Sequence, residues 1–157
     1  WASGVGPPAS GAPSKRRWLL GAGAAAILAT AVCGVMVALA DTLYPSTSLI
    51  AGMRLALSHA APMLDRLRAF HPAVAILTGL FLIWIVTQSP AQRRLHKTLG
   101  YAVFAAVVVQ WTLGATDMLL LTPVTMQILH LLGADLVWMA LIAYATAELA
   151  IPRRVVA

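Results

Sequence analysis

Four long apolar blocks, each free of charge or nearly so and parted by short polar or basic connections, decide what this chain can become. They run over about 18–40, 71–87, 98–116 and 126–147. A helix needs roughly 20 apolar residues to cross a bilayer, so the first and fourth blocks are long enough and the second lies at the short end of the range. A backbone in lipid must satisfy its own hydrogen bonds, so each block is expected to be helical. A membrane β-barrel would need short segments of alternating polarity, and none is present. The sequence therefore predicts an all-α membrane protein: a bundle of four transmembrane helices.

Composition agrees. Hydrophobic residues make up 61% of the 157 and charged residues only 10%, against about 25% charged in a soluble domain. That deficit leaves too little polar surface to face water, and a lipid bilayer is the partner it implies. The net charge of +6 does not point to nucleic acid. The Lys and Arg residues fall in clusters between apolar blocks, not along one helix face with interleaved aromatics. Such clusters orient a membrane protein. With both termini inside, the cytoplasmic side receives eight basic residues, namely Lys15, Arg16, Arg17, Arg93, Arg94, Lys97, Arg153 and Arg154. The outer side receives three, Arg54, Arg66 and Arg68. The expectation is a multi-pass protein of the cell (inner) membrane with N- and C-termini cytoplasmic.

Residues 1–17 are rich in Gly, Pro, Ser and Ala and read as a flexible linker or tail. Residues 18–151 form the transmembrane domain and 152–157 a basic tail. The chain opens on Trp1 rather than Met, as expected of a piece of a longer protein. The first connection, 41–70, is the longest. Its segment 49–67 reads as a short interfacial helix in the first outer loop, with an ordered loop as the alternative. Cys33 stands alone in the first block, which excludes an internal disulfide and any site built from cysteines.

Polar side chains within a membrane are costly and pose functional questions. His71 opens the second block and His130 lies about one turn into the fourth. One antiparallel helix separates these two spans, so they run in the same direction and place the two histidines at similar depth near their outer ends. If the helices face each other, the imidazoles converge, an arrangement suited to the two axial ligands of a heme iron. Zinc would want three or four ligands, and no third candidate shares this level. The alternative is a histidine resting in the headgroup region. Gln110, Gly114 and Asp117 share one face of the third helix, where Gly114 admits either a flat macrocycle or a neighbouring helix. Arg66 and Arg68 precede His71 and can meet either heme propionates or lipid headgroups. Asp135 projects away from His130 and is expected to bond a neighbouring helix. His59 and His96 fall in connections and are expected to be solvated. Phosphate loops, paired catalytic carboxylates and nucleophile elbows do not occur.

The stretch 110–142, QWTLGATDMLLLTPVTMQILHLLGADLVWMALI, joins Gln, Leu-Gly, a Pro-Val turn and a helix opening with Gln and His. With VALADTLYP at 37–45 and RLRAFHPAVA at 66–75, it resembles the heme A synthase family, specifically the C-terminal four-helix half. The resemblance covers about residues 18–150. It implies an oxidoreductase built from two similar halves, which converts a methyl group of heme O to a formyl group and so supplies heme A to terminal oxidases. It implies that His71 and His130 are axial ligands of a b-type heme (protoheme IX), with Gly114, Gln110, Arg66 and Arg68 lining the site and substrate heme O as the other candidate occupant. The implied partners are an N-terminal catalytic half or another copy, heme O synthase, and the assembly of terminal oxidase. The chain departs from the family's catalytic half in having Ala69-Phe70 and no nearby Glu before the histidine, Pro72 instead of Arg after it, and no paired outer-loop cysteines. Those departures fit a cofactor-binding half. Two other readings stay open: a small b-type membrane cytochrome or quinone-linked electron-transfer subunit, and a bundle without a cofactor.

Overall fold

Each of the four apolar blocks folds into one long helix in the computed structural model, which describes residues 14–59, 61–88 and 94–150. The helices are α1 (Ser14–Leu43), α2 (Leu49–Ala56), α3 (Met63–Thr87), α4 (Arg94–Leu119) and α5 (Val124–Leu149). All but α2 are long and apolar enough to cross a membrane, with mean hydropathies of 1.5 to 2.2 over their best windows. At about 1.5 Å rise per residue the shortest of the four, α3, reaches about 37 Å, more than the ~30 Å hydrocarbon core. The expected linker at 1–17 is helical from Ser14 onward; its first thirteen residues and the tail at 152–157 lie outside the described residues.

The long helices close a ring. α1 packs on α3, α3 on α4, α4 on α5, and α5 returns to α1, which leaves α3 and α5 across the diagonal. The buried apolar core is small: Leu20, Ile27, Leu82, Ile85, Val103, Val107, Val137, Leu141 and Tyr144. Leucines, valines and aromatics on the outer faces are exposed in large number, the reverse of a soluble bundle and the pattern lipid demands. Small residues allow the close approaches. A Cβ on Gly79 would collide with the Trp111 ring, and one on Gly23 would sit 3.0 Å from Ile85 Cδ1. Such contacts replace the hydrophobic effect as the packing force in lipid. Hydrogen bonds also join neighbours, among them Thr30 Oγ1 with Thr78 Oγ1 at 2.8 Å and Trp111 Nε1 donating to the Ala75 carbonyl at 3.2 Å.

The second span starts earlier than its apolar run suggests. α3 begins at Met63, so His71 lies two turns inside the helix, not at its opening. The charged turn Asp65–Arg68 conceals this start from a hydropathy reading. The interfacial helix is correspondingly shorter, confined to α2, with Ser48 Oγ accepting from the Ala51 amide at 3.2 Å. Gly52 and Ala56 form its buried face, and it packs on α3.

Two further expectations fail. His96 is not solvated: it is 4% exposed, inside α4, and paired with Glu148 Oε2 at the basic end of the bundle. There Arg16 Nε meets Glu148 Oε1 at 3.0 Å and Arg16 Nη2 donates to Tyr144 Oη at 2.7 Å. The Tyr144 ring lies 4.5 Å from that of His96, centroid to centroid. The cluster binds the start of α1 to the start of α4 and the end of α5, and satisfies charges that could not be buried singly. Asp135 is exposed on α5 and not turned against a neighbouring helix of this bundle.

Candidate functional site

The end of the bundle that carries α2 holds the two histidines of the predicted pair. His71 lies about 12 Å along α3 from its start, and His130 about 9 Å along α5 from its start. α3 and α5 run parallel, so the two side chains come from opposite corners of the ring at comparable depth. Both are partly buried, and the Nδ1 atom of each is buried with no hydrogen-bond partner. Buried polar atoms are nearly always satisfied, and an exception requires an explanation.

A glycine stands beside each ring. A Cβ on Gly34 of α1 would lie 3.0 Å from His71 Cε1, and one on Gly114 of α4 would lie 2.8 Å from His130 Cε1. The two contacts repeat one motif, a histidine laid against the glycine of the helix packed next to it, once in the α1–α3 pair and once in the α4–α5 pair. Any side chain at either glycine would force the imidazole to move. Gln110, one turn before Gly114 on α4, places Nε2 3.4 Å from His130 Nε2, where the amide can donate to the ring. Gln110 in turn lies against Gly133, where a Cβ would collide with its Oε1. The site is thus shaped by absent side chains as much as by present ones.

The other expected site residues are distributed as follows. Asp117, on the face of Gln110 and Gly114, lies one turn beyond Gly114 toward the end of α4, and its Oδ1 is buried without a hydrogen-bond partner. Arg68 is held within the chain. Its Nε contacts Asp41 Oδ1 at 2.7 Å, its Nη2 contacts Asp65 Oδ1 at 3.5 Å, and it donates to Ser46 Oγ at 2.9 Å and to the Tyr44 carbonyl at 3.2 Å. Arg66 is exposed and donates to the His59 carbonyl at 2.8 Å. Sequence reasoning missed Gly34 and the carboxylates around Arg68. The signal for Gly34 was available in principle: a glycine in a bilayer-spanning block is a candidate contact point. Its partner, however, lies 37 positions away on another helix.

Among the described residues no group of three or more His, Cys, Asp or Glu gathers in a way that would hold a single metal ion. The donor set is two imidazoles with glycine beside each. Two imidazoles are the kind of donor set that could hold a heme iron, and they fall short of the three or four protein ligands of a zinc centre.

The family model for cytochrome oxidase assembly proteins, COX15-CtaA, matches residues 6–142. The chain belongs to this family. Two curated relatives, from two strains of Thermus thermophilus, are 34% and 33% identical to it over 155 residues. Both are described as protoheme IX farnesyltransferase. The match takes in 95% of this chain but only 25% of each relative, so this COX15-CtaA chain spans about a quarter of their length. No solved structure matches it.

Proposed function

We propose that this chain is the b-heme-binding half of a heme A synthase-type oxidoreductase, holding protoheme IX between His71 and His130. The observation that carries this reading is the pair of half-buried imidazoles on opposed helices, each with an unpartnered Nδ1 and each set against a glycine. Bound there, the heme would supply a one-electron relay to a catalytic half that oxidises the heme O methyl group to a formyl group. The chain's own residues shape the site: Gly34 and Gly114 leave room beside the imidazoles, and Gln110 lines the site next to His130. Arg66 is the cation better placed for a propionate, because Arg68 is already neutralised by Asp41 and Asp65. Substrate heme O is the other candidate occupant of the same site. The partners are the catalytic half or a second copy, heme O synthase and the terminal oxidase under assembly. The eight-to-three distribution of basic residues supports cytoplasmic termini.

A diheme cytochrome would need His59 and His96 as further ligands. His96 is engaged by Glu148 at the basic end and His59 is exposed near α2, so that reading has no second ligand pair. Hemin titration of the detergent-solubilised protein tests the proposal. The parent protein should give a six-coordinate low-spin spectrum, and His71→Ala and His130→Ala should each lose it. If both single variants keep the parent spectrum, the ligand assignment is wrong.

A further inference from the structure

A cavity of about 250 Å³ opens at the basic end of the bundle, between the first turns of α1 and the last turn of α3, away from the histidine pair. Lys15, Arg16, Leu19, Trp84 and Gln88 line it. Its chemistry is graded along the bilayer normal. Lys15 and Gln88 lie at the mouth, at the ends of their helices, while Leu19 and Trp84 lie one turn deeper. Among the described residues no carboxylate belongs to the lining. Arg16 is spent on Glu148 and Tyr144, whereas Lys15 is exposed and lends its charge to the opening. Trp84 stacks with Phe81 at 6.0 Å, and Trp18, 80% exposed on the neighbouring turn of α1, marks the same level. Exposed tryptophans of this kind sit where headgroups meet acyl chains.

We infer that this cavity is a binding site for an anionic phospholipid. The phosphate lies at Lys15 and Gln88, and the first acyl carbons lie along Leu19 and Trp84. Basic recesses between transmembrane helices are suited to anionic headgroups, and the apolar floor selects a lipid over free phosphate. An occupant there would brace α1 against α3 beside the Arg16–Glu148–His96 cluster, at the end opposite the histidine site.

The test is quantitative mass spectrometry of lipids retained by the protein after exchange into mixed phosphatidylglycerol and phosphatidylcholine nanodiscs. The parent should retain phosphatidylglycerol about fivefold above its bulk fraction, the contribution of one basic residue near a charged surface. The Lys15→Gln/Gln88→Leu double variant should fall to the bulk ratio with its thermal transition unchanged. Lys97→Gln, at the same end but outside the cavity, should keep the enrichment. Equal loss in Lys97→Gln would reduce the effect to diffuse surface charge and overturn the site. Displacement of the lipid by millimolar inorganic phosphate would overturn the assignment to lipid. These readouts do not depend on heme.

Discussion

Two side-chain-free positions set the geometry of the histidine site. Gly34 and Gly114 stand 3.0 Å and 2.8 Å, measured from an added Cβ, from the Cε1 atoms of His71 and His130. Alanine at either position has to push an imidazole from its place, and overpacking of that kind costs about 1–3 kcal/mol. Gly34→Ala and Gly114→Ala are therefore expected to weaken hemin binding roughly 5- to 150-fold, Gly114→Ala more strongly, with a shifted Soret band in spectral titration. A binding curve identical to the parent's would remove the glycines from the site. Arg68 is the second decisive residue. It faces Asp41 and Asp65, which are 11% and 1% exposed at their side chains. Arg68→Ala strands those carboxylates and should destabilise the fold by about 3–5 kcal/mol, readable as a lower melting temperature. The Arg68→Ala/Asp41→Asn double variant should recover part of the loss. The histidines and Gln110 were legible in the sequence because a polar residue in an apolar block stands out. Gly34 and the carboxylates around Arg68 were not, because their roles depend on contacts between helices that no spacing along the chain records.

At the scale of elements, apolar runs revealed every long helix but misjudged where helices begin. α3 starts eight residues before its apolar run, and α4 four residues before, because amphipathic first turns carry Asp65, Arg66 and Arg68 in one case and Arg94, His96 and Lys97 in the other. The same rule misplaced His96: read as loop, it is in fact a buried link to Glu148. The turn from α4 to α5 has its own strain. The Thr122 amide donates to the Asp117 carbonyl at 2.8 Å and the Leu121 amide to the Met118 carbonyl at 3.2 Å, the paired bonds of a Schellman helix end. Leu121 and Thr122 have φ of 60° and 56°, a region that costs an L-residue about 1–2 kcal/mol. Leu121→Gly should thus stabilise the protein by about 1 kcal/mol and Leu121→Val should destabilise it, both measurable by equilibrium unfolding in mixed micelles. A neutral or destabilising Leu121→Gly would mean that the Leu121 side chain contributes more than its backbone costs.

For the whole molecule, the ring order of the helices is the property that matters. Adjacent pairs α1–α3 and α4–α5 each supply one glycine and one histidine, and the two histidines belong to the helices that lie across the ring's diagonal. One end is tied by Arg68 and its carboxylates, the other by Arg16, Glu148, His96 and Tyr144, so the space between is framed by polar networks at both ends. Membrane character and helix number followed from composition and block length alone, whereas the diagonal placement of α3 and α5 needed the packing. Pyridine hemochrome analysis of the protein purified from membranes bears most directly on the claim that this ring encloses one heme. One protoheme per chain, with the absorption of a six-coordinate low-spin b-type center, is the predicted result. A colourless protein, or two hemes per chain, would contradict it.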